Sequence, residues 1–140
     1  MTLPALAVKA IIMKDGKILL LQRNPATRGV ANWDLPGGLV EEGEGEVESL
    51  LRELREELGV GAEVLERSGS WRFFRPKDER RVDVHNYRCR LLDGDIRLSE
   101  EHVSYHWVLV ERLRSFPVKD ASLYGSLEKH FQNPSRSSSL

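Results

Sequence analysis

The hydrophobic positions along the chain predict strands first, then a helix, then more strands and a second helix. Ala5–Met13 and Ile18–Gln22 are two apolar, β-type runs separated by Lys14-Asp15-Gly16-Lys17. Asp-Gly between such runs predicts a hairpin. Arg23 to Trp33, with Pro25, Gly29 and Asn32, predicts a loop, and Leu35-Pro36-Gly37-Gly38 a sharp break. From about Glu44 to Leu58 the apolar residues recur at helical spacing, and Gly59 supplies the stop. Val60–Glu66, Gly69–Arg75 and Val82–Leu91 predict three further strands. In the last, Tyr87, Cys89 and Leu91 keep one parity while Val82 and Val84 keep the other, which predicts a bulge near His85-Asn86. Trp107–Val110 predicts another short strand, and Asp120 can cap a final helix carrying Leu123, Leu127 and Phe131. This order predicts a mixed sheet covered by helices, in the α/β (α+β) class, rather than a strictly alternating parallel fold.

Composition narrows the class. A chain of 140 residues suits one domain, expected over residues 1–132, with Asn133 to Leu140, four Ser and a Pro among them, expected as a disordered tail. At 40% hydrophobic and 31% charged it is too apolar for a disordered protein. The single Cys89 excludes an internal disulfide and thiolate metal clusters, and is expected to be a small core residue. The apolar stretch from Leu3 to Met13 is broken by Pro4 and Lys9 and has no basic region ahead of it. It reads as neither signal peptide nor membrane span, so a reducing cytoplasm is the expected location.

Net charge is −1, which argues against a long nucleic-acid footprint. The balance is uneven, however. Between Glu41 and Glu57 there are eight Glu and two Arg, a net of −6, so the remainder carries +5. On a helical wheel Val47, Leu50, Leu51, Leu54 and Leu58 fall within about a 100° arc. Glu53, Glu56 and Glu57 stand at i, i+3 and i+4 on another face. Like charges at that spacing cost roughly 0.2–0.5 kcal/mol per pair, and the last helical turn favours cations. Ion pairs from Arg52 to Glu48 and Glu56 would offset this on an ordinary solvated helix. Three carboxylates on one face are also what hard divalent cations require, Mg²⁺ in particular.

The longer pattern decides between these alternatives. From Gly38 the chain runs GLVEEGEGEVESLLRELREELGV, which fits G-x5-E-x7-R-E-U-x-E-E-x-G-U, with U apolar, at Gly38, Glu44, Arg52, Glu53, Leu54, Glu56, Glu57, Gly59 and Val60. This resembles the Nudix box of the Nudix hydrolases, and the preceding Trp33-Asp34-Leu35-Pro36-Gly37 is similar to that family's approach to the box. The resemblance implies an α/β/α sandwich with a mixed sheet. It also implies a Mg²⁺-dependent hydrolase, with Mn²⁺ as a further candidate cofactor, cleaving a pyrophosphate linkage in a nucleoside diphosphate joined to another moiety. By resemblance, Glu53, Glu56 and Glu57 are the metal ligands, joined by a carbonyl of Gly37 or Gly38. Arg52 would orient a carboxylate, that of Glu53, while Glu44 would fix the loop or act as an outer acid, and Gly59 would end the helix. The general base is expected to be Glu53, Glu56 or, outside the box, Glu101 in Glu100-Glu101-His102.

Outside the box, Arg23 closes a strand where similar proteins carry a phosphate contact. Trp71 to Arg81 mixes aromatics with five cationic side chains, and Arg72, Phe74 and Arg75 are the expected substrate contacts there. ADP-ribose and other nucleoside diphosphate sugars, or nucleoside triphosphates, are the expected substrates, and Pro76 resembles a marker of the ADP-ribose group. Removal of pyrophosphate from RNA 5′ ends and a non-catalytic nucleotide-binding module are the alternatives. The partner is a small nucleotide; neither long nucleic acid nor membrane is expected, and a homodimer is left open.

Overall fold

The computed structural model describes residues 3–28 and 32–131. The expected tail lies outside them. The strands are β1 (Ala5–Lys14), β2 (Lys17–Arg23), β3 (Trp33–Asp34), β4 (Gly37–Leu39), β5 (Ala62–Arg75), β6 (Arg80–Leu91) and β7 (His102–Leu109). The helices are a single turn, α1 (Pro25–Arg28), then α2 (Glu46–Leu58) and α3 (Ser122–Phe131).

β1 is the hub of the sheet. On one side it runs parallel to β6 in unbroken register from Ala5↔Val82 to Ile12↔Cys89, and β5 lies antiparallel outside β6. On the other side the two ends of β1 have different neighbours. Its beginning pairs with β4, Lys9 opposite Gly37, and its end pairs with β2, Met13 opposite Ile18. Beyond that pairing β2 turns away to join β7 and β3. The hairpin through Asp15 and Gly16, both at positive φ, therefore splays, and Gly37–Leu39 fills the gap. Gly37 has φ 140°, and a Cβ there would stand 2.1 Å from the Val8 carbonyl oxygen. Only glycine fits that approach.

Two layers cover the sheet. Val8, Ala10, Ile12, Leu19, Leu21, Tyr87 and Cys89 pack against Leu50, Leu54 and Leu58 of α2. Ile11, Ile18, Leu20 and Val108 pack against Leu123 and Leu127 of α3. This α/β/α arrangement resolves the parity change in β6, which is no bulge. Val82, Val84 and Asn86 are buried on the face opposite to Tyr87 and Cys89, because each half of the strand has its own cover. The irregularities sit instead in β5, between Val64 and Glu66 and between Arg67 and Ser70, around Gly69 at φ 101°. These bulges let one long strand run where two were expected.

The apolar face of α2 is narrower than the wheel implies. Leu50, Leu54 and Leu58 are fully buried, whereas Val47 and Leu51 are about two-fifths exposed. The helix starts two residues later than expected. Gly45 is its N-cap, and the Glu48 carboxylate accepts from the Gly45 N–H. Glu44 thus lies in the preceding turn. Gly59, at φ 70°, closes the helix by donating its N–H to the Arg55 carbonyl. At α3, Asp120 Oδ1 accepts from Ser122 N–H at 2.9 Å, the expected cap. No helix among the described residues is long and apolar enough to cross a membrane.

Candidate active site

The turn into β4 and the last two turns of α2 meet at Gly37–Gly38. Glu57 is almost fully buried there, and its Oε1 accepts from the Gly37 N–H at 2.7 Å. Its Oε2 lies 3.9 Å from His102 Nδ1, at the start of β7. Burial pushes the Glu57 carboxyl up to about 8, against the opposing influence of the Lys9 ammonium and the Gly37 hydrogen bond. The neighbouring negative charges of Glu53 and Asp34 push it the same way as burial.

Glu53 lies one turn earlier, against Gly38. A Cβ at position 38 would sit 2.7 Å from the Glu53 carboxylate, so glycine makes room for the acid. Burial also raises the Glu53 carboxyl, with Arg52 pulling it down and Glu56 pushing it up. Glu56 behaves differently. It is the most exposed of the three, and its oxygens accept from Arg52 Nη1 at 3.2 and 3.3 Å.

Arg52 does not favour Glu53 as the box resemblance implies. Its fork closes on Glu44, with Nε donating to Oε2 at 2.7 Å and Nη2 to Oε1 at 3.0 Å. Glu53 stands 3.2 Å from Nη1, which it shares with Glu56. Two parallel, charge-assisted bonds make Glu44 the preferred partner, and they hold the Glu44 carboxyl down to about 2. Glu44 also accepts from the Glu41 N–H, so the arginine ties the entry loop to the helix.

Among the described residues no three His, Cys, Asp or Glu side chains converge on one point, and Glu56 is directed onto Arg52. The donor chemistry nevertheless fits a hard divalent cation. Glu53 and Glu57 are both desolvated, burial raises the pKa of each, and both offer only oxygen.

Gly37–Gly38 is also one edge of a cleft of about 490 Å³ on the α3 face of the sheet. Lys9, Arg23 and Asp34 stand at this end, Trp71, Phe73 and Arg75 of β5 form one wall, and Trp33, Lys119 and Asp120 face them. Lys9 Nζ donates to Asp34 Oδ2 at 3.0 Å and to the Leu35 carbonyl at 3.4 Å, and Arg23 Nη1 is 3.8 Å from the same Asp34 oxygen. Lys119 lies over the Phe73 ring, 6.0 Å from its centroid.

Of the substrate contacts expected from sequence, Arg23 and Arg75 line this cleft and Arg72 and Phe74 do not. Alternation along β5 turns Arg72 and Phe74 to the opposite side, where Arg72 stands 3.7 Å from Asp83 and Phe74 is largely exposed. Arg75 is held by Asp78, Nε to Oδ1 at 2.9 Å and Nη2 to Oδ2 at 2.7 Å. Pro76 begins the 3₁₀ turn at the tip of the β5–β6 hairpin. Glu101 lies in the turn before β7, where its carbonyl accepts from Asn24 N–H, and the side chain that meets Glu57 from this segment is His102. Lys9, Trp71, Phe73 and Lys119 also line the cleft, outside the named contacts expected from sequence, although Trp71 and Phe73 belong to the aromatic and cationic segment. Strand parity was the available signal for Trp71 and Phe73, since they share it with Arg75. Lys9 was visible as a lone charge inside an apolar strand. Cys89 is a core residue whose thiol is pushed up to about 12 by burial.

Known proteins carry the same framework. The family model for the NUDIX domain matches residues 3–129. A CTP pyrophosphohydrolase of Escherichia coli is 35% identical over 116 residues, covering 83% of this chain and 84% of that protein. The nucleoside triphosphatase NudI of Klebsiella pneumoniae is 32% identical over 127 residues, covering 80% and 86%. Among solved structures, a MutT protein from Methanosarcina mazei superposes with a TM-score of 0.84 at 28% identity, covering 96% of this chain and 98% of that one. The box, the sandwich and these relatives agree: the chain belongs to the Nudix family and is a pyrophosphohydrolase.

Proposed function

We propose that the chain is a Mg²⁺-dependent nucleoside triphosphate pyrophosphohydrolase, with Mn²⁺ as an alternative metal. One observation carries this reading: a desolvated carboxylate pair and a cleft lined by cations and aromatics share the Gly37–Gly38 edge. Phosphates at that edge would lie between the acids and Lys9 and Arg23, with the base directed along the Trp71 wall. The CTP pyrophosphohydrolase and NudI, each matched over more than four fifths of its length, are named for nucleoside triphosphates, while a bis(5′-nucleosyl)-tetraphosphatase of Mus musculus is 33% identical over 114 residues and 76% of that protein. An ADP-ribose pyrophosphatase of Methanocaldococcus jannaschii is 50% identical, but over 58 residues and 33% of that protein. A solved ADP-ribose pyrophosphatase from Streptococcus suis is matched over 92% of that chain at 26% identity, so the triphosphate reading rests on the higher identity of the CTP pyrophosphohydrolase and NudI over most of their length.

Glu53, Glu56 and Glu57 would hold the metal, with a carbonyl of Gly37 or Gly38, and Glu56 would leave Arg52 to do so. Such a cation supplies charge neutralisation for the phosphates and a bound water of lowered pKa. The protein's own groups do the rest. Arg52 and Glu44 brace the loop and helix, Arg23 and Lys9 meet phosphate oxygens, and a carboxylate takes the proton of the attacking water. Glu53 is the favoured base, since its burial raises its proton affinity; Glu101 is the competitor.

The test is a panel of nucleoside triphosphates, nucleoside diphosphate sugars and 5′-triphosphorylated RNA, with and without Mg²⁺, with products identified. Metal-dependent turnover of triphosphates, lost in Glu53→Gln and Glu57→Gln, is the expected result. Preferred turnover of sugar-linked diphosphates or RNA would replace the substrate reading, and turnover unchanged by both substitutions would overturn the site.

A further inference from the structure

The Trp71 indole lines the cleft, but its only polar atom is directed away from any ligand. Nε1 donates to Asn86 Oδ1 at 3.1 Å, and Asn86, on β6, is wholly buried. Asn86 Nδ2 in turn donates to Ser126 Oγ at 3.2 Å, and the Ser126 hydroxyl donates to the Leu123 carbonyl at 2.9 Å. The relay runs in one direction, from β5 through β6 into α3, and it fixes the amide orientation of Asn86. Its carbonyl must face the indole and its amino group the serine. Phe73 supports the same ring, with centroids 5.7 Å apart.

We propose that Asn86 is a positioning residue: by taking the Trp71 N–H into the interior it holds the indole as a nonpolar platform for a nucleobase, so this wall accepts a flat ring without discriminating between bases. The proposal rests on the nucleotide reading above and adds to it a residue that never touches substrate. Three physical steps support it. Every base presents a π-face, so stacking tolerates any base. An indole N–H free in the cleft would instead favour bases with an acceptor at one edge. A buried donor deprived of its acceptor turns towards another, so loss of Asn86 would release the ring.

The test compares KM and kcat for nucleoside triphosphates against inorganic tripolyphosphate, which lacks a base, in the full chain with Mg²⁺. Asn86→Leu removes both hydrogen bonds at similar volume; Ser126→Ala, at a half-buried position, removes one and guards against a folding failure. Trp71→Ala should raise the nucleotide KM on the order of 10-fold, the scale of one lost stacking contact. Asn86→Leu should raise it several-fold and Ser126→Ala less, with kcat and tripolyphosphate turnover little changed. In a Trp71→Phe background, where no N–H remains to be held, Asn86→Leu should add nothing to KM. The wild-type KM should vary little among the four bases. Equal effects on nucleotide and tripolyphosphate, or an Asn86→Leu effect undiminished in the Trp71→Phe background, would overturn the positioning role. Absence of nucleotide turnover in the wild type would instead sink the functional reading beneath it.

Discussion

Glu57→Gln separates the cost of the site from its use. The Glu57 carboxyl is raised from 4.5 to about 8, because it is buried and shares its surroundings with Glu53 and Asp34. Between those values the metal-free folded protein holds a proton that the unfolded chain has released. Stability therefore falls as pH rises: the proton-linked contribution is complete below about pH 4.5 and gone above about pH 8. At about 1.4 kcal/mol per unit, the loss reaches roughly 3 kcal/mol at pH 7 and about 5 at pH 8. Glutamine keeps an acceptor for the Gly37 N–H and has nothing to ionise. With metal chelated, Glu57→Gln should thus gain on the wild type as pH rises, by on the order of 10 °C in Tm between about pH 5 and 7.5. Added Mg²⁺ should stabilise the wild type by mass action and leave the variant unmoved. Thermal denaturation followed by circular dichroism across pH, with chelator and with Mg²⁺, measures both effects. Parallel Tm curves for the two proteins in chelator would refute the reasoning, since Glu57 would then carry no buried-charge penalty.

Three further outcomes follow from the same geometry. Gly38→Ala puts a Cβ 2.7 Å from the Glu53 carboxylate, so turnover should fall roughly 100-fold while the folded spectrum is kept. Arg52→Lys keeps the charge but not the fork on Glu44, and Mg²⁺ titration of activity should show affinity weakened about 10-fold or more. Leu54→Ala empties a fully buried site between α2 and the sheet, and denaturant titration should show a loss of about 2–5 kcal/mol.

The box was legible because its signal is local. Spacing alone places Glu53, Glu56 and Glu57 on neighbouring turns of one helix, and Gly59 marks where that helix stops. Depth was not legible. A wheel gives direction around an axis but not what lies opposite, so Glu57 reads like Glu56. In the structure one is buried on the Gly37 N–H and the other is exposed on Arg52. Val47 and Leu51 fall in the apolar arc for the same reason and remain partly exposed. Strand parity divided β5 into Trp71, Phe73 and Arg75 against Arg72 and Phe74, but parity does not say which set meets a ligand. The cleft that decides it is made by β4 and the segment before α3, far away in sequence. The parity change in β6 follows from layer structure: Tyr87 and Cys89 pack under α2, whereas Val82 and Val84 pack on the other face with Ala5, Ala7, Trp71 and Phe73, and a single-strand view interprets that as a bulge.

The central claim is that the carboxylates at Gly37–Gly38 hold a divalent metal that serves hydrolysis of a nucleoside triphosphate in the adjoining cleft. Phosphorus NMR of the products formed from each nucleoside triphosphate, as Mg²⁺ is titrated into metal-free wild type, Glu53→Gln and Glu57→Gln, tests it most directly. The account predicts Mg²⁺-dependent cleavage of the pyrophosphate linkage by the wild type and at least a roughly 100-fold loss in both variants. Cleavage that proceeds without metal, or that survives both substitutions, would contradict it.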